Sequence, residues 1–330
     1  MTQSAWRTDT GGVPGTEISA WLRAAIAAPS IHNSQPWLFR PHHGVIDVLV
    51  DRRRRLMATD PDGREMYVSV GAAVLNLRIA MLAGGHSALV RLLPDPAQPD
   101  LAAAVQIGPA VPATPEVHAL AAAIPRRQTN RRPFGSTPIP RPIRDELAAA
   151  ARTEGGTLVM VDPATTAAVL SLARTAEHRR RADPAYRREL AGWTSSDRVR
   201  TDGVPAAAFG PRPELAALPL RDFDLAHTTD RRVARFEAHP SIAVLYTAGD
   251  TTRDWLCAGQ ALERVLLTAT ARGLASTPLT QAIEVPELRG LLNAPAESGM
   301  VQSIVRFGYA GRVRQAPRRP LADVLLPVQP

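Results

Sequence analysis

Ala28-Pro-Ser-Ile-His-Asn-Ser-Gln-Pro-Trp37 is the segment on which the reading of this 330-residue chain turns. It follows an apolar helical stretch over residues 18–27 and leads into an expected strand over 38–40. Its two prolines fix backbone angles, while Ser30, Asn33, Ser34 and Gln35 crowd donors and acceptors into a short rigid loop. Such a loop suits the edge of a planar heterocycle, and it equally suits a helix C-terminus with ordinary turn chemistry. A second polar segment, Pro125-Arg-Arg-Gln-Thr-Asn-Arg-Arg-Pro-Phe134, packs four arginines around Gln128, Thr129 and Asn130. Guanidinium forks grip phosphate in bidentate fashion. The plain alternative is a basic linker.

Working outward, two helices resemble each other. Residues 66–83 place Val70, Ala73, Val74, Leu77 and Met81 on one stripe, and Gly84–Gly85 stop it. Residues 255–272 do the same with Gly259, Leu262, Val265, Leu266 and Ala269, stopped by Gly273. At an offset of 188 positions, Gly71, Ala73, Ala83 and Gly85 fall on Gly259, Ala261, Ala271 and Gly273. Each helix is followed by a β-like run ending in glycine, over 102–108 and 301–308. A tandem duplication explains both, as does chance similarity among alanine-rich helices. A boundary is expected in the proline-rich, aperiodic stretch 109–115, giving a first unit over 1–115 and a second over 116–330. A proline-dense connection at 138–142 enters a helix over 141–152. Residues 177–229 are charged, carry Trp193, Phe209 and Phe223, and lack helical or strand regularity over most of their length. This pattern is expected of a lid rather than a linker.

Composition excludes several chemistries. All 39 basic residues are arginine, so no lysine Schiff base, lysine general base or Walker lysine exists. One cysteine, Cys257, rules out an intrachain disulfide, a CxxC pair and a cysteine-based metal cluster. With 55 alanines and 30 prolines, the arginine bias is compositional, and the +8 charge is discounted accordingly. The arginines are spread among acids without interleaved aromatics, which argues against a nucleic-acid partner. The densest run, 52–55, follows an alternating segment over 45–50 and reads as a solvated strand end. No apolar segment approaches a membrane span and no export signal is read, so a cytoplasmic, membrane-free protein is expected. The adjacent His42 and His43 lack helical metal-ligand spacing, and no metal is expected.

The pattern APSxHNSQPW resembles the nitroreductase superfamily of FMN-dependent oxidoreductases, and RRQTNRRPF resembles that family's arginine motif for the FMN phosphate. Gly273-Leu-Ala-Ser-Thr-Pro-Leu-Thr-Gln281 is similar to the loop facing the flavin N5, and Phe307-Gly-Tyr-Ala310 followed by Pro317-Arg-Arg-Pro-Leu321 to the family's ending. The order of motifs is most similar to that of Acg-type proteins of mycobacteria and other actinobacteria. The resemblance implies an α+β fold in two tandem halves, each an antiparallel sheet packed with helices, joined as a fused pseudo-dimer. Because the Pro-Ser loop occurs only in the first half and the arginine motif only in the second, it implies one FMN per chain and a monomer, with further pairing left open.

By the same resemblance, Pro29, Ser30, Ile31, His32 and Asn33 line one edge of the isoalloxazine. Arg126, Arg127, Gln128 and Asn130 approach the phosphate with Arg318 or Arg319, and Pro278, Leu279, Thr280 and Gln281 supply backbone N–H groups near N5 and O4. His32 is either a neutral hydrogen-bonding loop residue or a catalytic proton donor. The implied activity is hydride transfer from NAD(P)H through FMN to a nitroaromatic, quinone or similar small acceptor. The alternative is an FMN-sequestering protein with a lidded site and little turnover.

Overall fold

The computed structural model describes residues 12–195, 200–214, 218–226, 229–293 and 299–327. In chain order the elements are α1 (Gly15–Ile26), β1 (Trp37–His42), β2 (Val45–Val50), α2 (Arg64–Ala83), β3 (His86–Leu92), β4 (Leu101–Ala110), α3 (Pro115–Ala123), α4 (Arg141–Thr153) and β5 (Thr157–Met160). There follow α5 (Pro163–Ala182), α6 (Pro184–Gly192) and the two-residue strands β6 (Thr194–Ser195), β7 (Val204–Pro205), β8 (Arg212–Pro213) and β9 (Val233–Ala234). The chain closes with β10 (Ser241–Thr247), α7 (Thr252–Ala271), β11 (Ala275–Pro278), α8 (Pro286–Leu292) and β12 (Met300–Gly308).

Two four-stranded antiparallel sheets carry the fold, ordered β1-β2-β4-β3 and β11-β12-β10-β5. In the first, β1 and β2 are joined by His43 and Gly44, both at positive φ (41° and 72°), which is the twist a two-residue hairpin turn requires. In the second, the corresponding connection between β5 and β10 runs from residue 161 to 240. Each sheet is covered by a long helix with glycine just past its end: Gly85 after α2 at φ 83° and Gly273 after α7 at φ 75°. Helix α7 is opened by a capping box between Thr251 and Asp254.

Helices α2 and α7 cross in the middle of the molecule. A methyl built on Gly71 would overlap the Leu256 carbonyl and lie 3.1 Å from the Gly259 Cα; one on Gly259 would lie 2.8 Å from the Val68 carbonyl carbon. The glycines therefore allow backbone-to-backbone contact at the crossing. This also explains why α2, the one helix among the described residues long and apolar enough to cross a membrane, is mostly buried here. Its apolarity serves two cores at once. Val70, Val74 and Leu77 pack with the first sheet, and Val68 joins the core of α7 and the second.

The stretch 177–229 is more regular than its composition indicates. Helix α5 continues through Ala182 and α6 occupies 184–192, each with an aspartate N-cap, Asp162 or Asp183, and proline at the first position. The chemical signal is the repeated Asp-Pro pair. The charged outer faces of both helices conceal it in a periodicity reading. Positions 196–199, 215–217 and 227–228 of this stretch lie outside the described residues. The tail leaves the second sheet after Gly308 and returns to the first: Leu326 N–H donates to the Phe39 carbonyl at 2.8 Å, and Val324 is buried in the first core.

Candidate functional site

The loop after α1 is held in a backbone shape that few side chains choose. His32, Asn33 and Gln35 have φ of 48°, 54° and 49°, three left-handed non-glycine residues within four positions. Such strain persists only where the surroundings over-determine it. Asn33 Nδ2 donates to the Gly203 carbonyl at 2.9 Å and the Pro317 carbonyl at 3.0 Å, and Gln35 Nε2 donates to the Thr201 carbonyl at 3.0 Å. From the tail, Arg318 donates to the carbonyls of Ile26, Ala27 and Ala28, satisfying the end of α1, and to Asn33 Oδ1. Arg319 lies on the loop's far side, bonded through its N–H and guanidinium to Gln35 and 3.8 Å from Asp51.

This loop forms one wall of a cavity between the two sheets. Pro29, Ser30, Ile31 and His32 face Thr277, Pro278, Leu279, Thr280 and Gln281, with Glu65, Val68, Ser69 and Ala72 of α2 as the floor. Segments from 177–229 contribute Leu220, Arg221 and Phe223. Pro29, Ser30, His32, Thr129 and Arg131 are shared with an adjoining compartment that also takes in Asn33, Arg127, Gln128, Arg314 and Arg318. The result is a walled slot that opens into an arginine-lined compartment.

His32 sits at the junction and is buried. Its Nε2 lies 3.1 Å from Arg221 Nη1; a guanidinium can only donate, so Nε2 accepts and the imidazole proton is on Nδ1. Desolvation, reinforced by Arg221 and Arg131, holds its pKa well below the ordinary value, so the ring is neutral. The Nδ1 atom is buried without a partner among the described residues. A buried donor with no acceptor, beside a cavity, fits a ligand that brings one. Arg221 is itself tied to Tyr186 Oη at 2.9 Å, Thr280 Oγ1 at 3.0 Å and the Glu284 carboxylate. Glu65 is pushed up to about 7, first by burial and further by Asp60 and Glu284 against the opposing pull of Arg64.

In the compartment the arginines outnumber their counter-charges. Arg131 is half-buried and has no carboxylate partner among the described residues; it donates to the Ala208 carbonyl at 3.0 Å with its guanidinium carbon 4.6 Å from the Phe223 ring centre. Burial, with Arg221 adding to it, pushes its pKa down to about 10. Arg318 is pushed down to about 9 by burial and by Arg127. Both shifts mark uncompensated positive charge, which an anion would relieve.

The structure does not bring every expected residue here. Arg126 donates to the Ala122 carbonyl at 2.9 Å and faces a separate cleft with Asn130, Arg312 and Gln315. Asn130 spends its side chain on the Gly311 carbonyl and the Arg132 N–H. Leu279 N–H donates to the Ile304 carbonyl at 2.8 Å, and Pro278 has no N–H, so neither supplies the expected donor. Gln281 gives its side-chain amide to the Pro219 carbonyl. Arg131 belongs to the four-arginine segment that the sequence marks for phosphate, whereas Arg221, Glu65 and Phe223 are not marked as site residues by the sequence. For Glu65 the signal is a charged pair, Arg64-Glu65, opening a helix whose remaining residues are apolar on nearly every face; for Arg221 the sequence holds none.

Residues 124–309 match the model of the nitroreductase family. The Mycobacterium tuberculosis protein Rv3127, which carries no functional name, is 33% identical over 311 residues, covering 91% of this chain and 90% of that one. A second protein of that organism, Rv3131, provisionally named an NAD(P)H nitroreductase, is 34% identical over 313 residues, covering 92% and 89%. Among solved structures, the FMN-dependent nitroreductase NfnB of Mycobacterium smegmatis, in complex with NADPH, covers 62% of this chain and 96% of its own at 19% identity and a TM-score of 0.36.

Proposed function

The chain belongs to the nitroreductase family, and we propose that it is an FMN-binding oxidoreductase that uses NAD(P)H to reduce a nitroaromatic, quinone or similar small acceptor. The observation that carries this reading is the pair of joined compartments, a walled slot that opens onto Arg127, Arg131 and Arg318, which outnumber the one carboxylate behind them. The slot suits a planar heterocycle and the compartment suits a phosphate monoester.

When bound, FMN supplies two-electron redox chemistry between the nicotinamide and the acceptor. The chain's own residues do the rest. Arg131 and Arg127 hold the phosphate end with Gln128, and Arg318 keeps the Pro-Ser loop in place. His32 offers its Nδ1–H to an acceptor atom of the ring, fixed in that tautomer by Arg221. The segments carrying Leu220 and Phe223 exclude water from the slot, which strengthens each of these polar contacts.

We also infer that the two sheets are copies of one unit, residues 1–115 and 116–330, fused with one complete site between them. The order helix, strand, strand, helix, strand, strand of α1-β1-β2-α2-β3-β4 is found again in α4-β5-β10-α7-β11-β12 once α5, α6 and β6–β9 between β5 and β10 and α8 between β11 and β12 are taken as insertions, and the sheet orders correspond. A second reading, FMN sequestration with little turnover, is favoured by one observation: Arg221 and Phe223, from the segment between β5 and β10, reach into the slot and are buried there.

An absorption spectrum of the purified protein, followed by anaerobic NADPH and, separately, NADH, tests both. Oxidoreductase activity requires a flavin spectrum that one of the two bleaches. Bleaching by dithionite but by neither nicotinamide assigns the protein to sequestration. A colourless protein that takes up no added FMN overturns both readings.

A further inference from the structure

Behind the arginine compartment stands a buried carboxylate. Glu263, on α7, is 0% exposed, and among the described residues neither Oε1 nor Oε2 has a hydrogen bond of good geometry. The nearest cation is Arg127, whose Nε, also without a hydrogen bond, lies 3.4 Å from Oε1. From the tail it faces Arg318, and from α2 it faces Asn76. The Asn76 amide N–H goes to the Ala24 carbonyl at 3.1 Å, while its Oδ1 is buried and unsatisfied. The neighbouring cation on α7, Arg264, is turned away to Glu154 and Glu116. Two arginines at the compartment, the buried Arg127 and the half-buried Arg318, thus share this one carboxylate.

We propose that Glu263 is a positioning residue that holds Arg127 in the free protein and takes up a proton when a phosphate monoester enters the compartment and draws on the same guanidinium. This rests on the reading of the compartment as the FMN phosphate site. No covalent bond forms or breaks; the proton comes from solvent and ends on Glu263. An unpaired buried carboxylate costs several kcal/mol, whereas the neutral acid costs far less. Burial already pushes Glu263 up to about 7, with Arg127 opposing, so the group is divided between its two forms near neutrality. A bound dianion raises it further. Affinity therefore falls as pH rises between the free and bound values, by up to about tenfold per pH unit.

The experiment is a titration of the apoprotein with FMN and with riboflavin at pH 7, 8 and 9, repeated for FMN by calorimetry in buffers of different ionisation enthalpy at pH 8. The second phosphate ionisation lies near 6, so above pH 7 the titrating group belongs to the protein. Expected are an FMN Kd that rises with pH toward tenfold per unit, net proton uptake for FMN, and neither effect for riboflavin. In Glu263→Gln the slope should vanish while FMN still binds. A flat wild-type Kd without proton uptake, or an undiminished slope in Glu263→Gln, overturns the inference and leaves the cofactor reading standing. Absence of FMN binding at every pH overturns the cofactor reading and the inference with it. Should the variant not fold, the difference in proton uptake between FMN and riboflavin in the wild type decides alone.

Discussion

Arg126 and Arg131 come from the same ten-residue motif and have identical chemistry, yet only one is placed to hold an anion. Arg131 is half-buried beside Phe223 in the compartment, whereas Arg126 is exposed and bonded to the last turn of α3. A charge-assisted hydrogen bond to a ligand is worth about 1.5–3 kcal/mol, or about ten- to a hundredfold in affinity. Arg131→Ala should therefore raise the FMN Kd by at least about tenfold, and Arg126→Ala by less than about threefold. Fluorescence titration of both variants checks this; a larger loss in Arg126→Ala than in Arg131→Ala would mean that the phosphate lies in the outer cleft near Arg312. Residue types alone could not make the distinction, because which guanidinium turns inward is set by the 3-10 turn Ile124–Arg126 that follows α3. What the sequence does show at this scale is the Pro-Ser loop. Its prolines and polar side chains restrict the backbone locally, and the structure adds that three of its residues pay in strain for the shape.

At the scale of elements, the two glycines that align at an offset of 188 positions face each other across the α2–α7 crossing. That contact gives the alignment a physical reason. Adding a methyl at either position presses it against backbone rather than a side chain that could swing away. Overpacking of this kind costs about 1–3 kcal/mol, and the lack of a yielding neighbour puts it at the upper end. Gly71→Ala and Gly259→Ala should each lower the melting temperature by several degrees. Gly290→Ala on α8, where a methyl meets nothing within 4 Å, should leave it unchanged or raise it slightly. Thermal denaturation compares the three, and an unaffected Gly71→Ala would mean that the helices can slide apart without loss. Long apolar helices with glycine stops were legible because burial on several faces leaves a strong pattern. Helices α5 and α6 were less so, since their outer faces are charged and only the Asp-Pro starts betray them. The position of Arg221 depends on where a long connection folds back, which local propensity does not encode.

For the whole molecule, the correspondence of the two sheets raises the question of why there would be one site instead of two. In the first unit, α1 and β1 are joined by the strained loop over residues 27–36. In the second, the equivalent connection between α4 and β5 is Glu154-Gly155-Gly156, too short to form a wall and without the polar side chains of its counterpart. The hairpin turn of the first unit is likewise replaced in the second by the long segment that delivers Arg221 and Phe223. On the proposed fused-copy reading, each half keeps what the other lacks, and the tail ties the two sheets by carrying Arg318 from the second sheet to the end of α1. Titration of the apoprotein with FMN should therefore saturate at one equivalent per chain, whatever its state of association. A chain truncated after Gly311, which retains both sheets but loses Arg318 and the buried Val324, should bind FMN at least about tenfold more weakly, because the Pro-Ser loop loses the guanidinium that holds it. Two equivalents per chain, or full affinity in the truncated chain with its helical circular dichroism intact, would show that the loop is not the one wall on which binding depends.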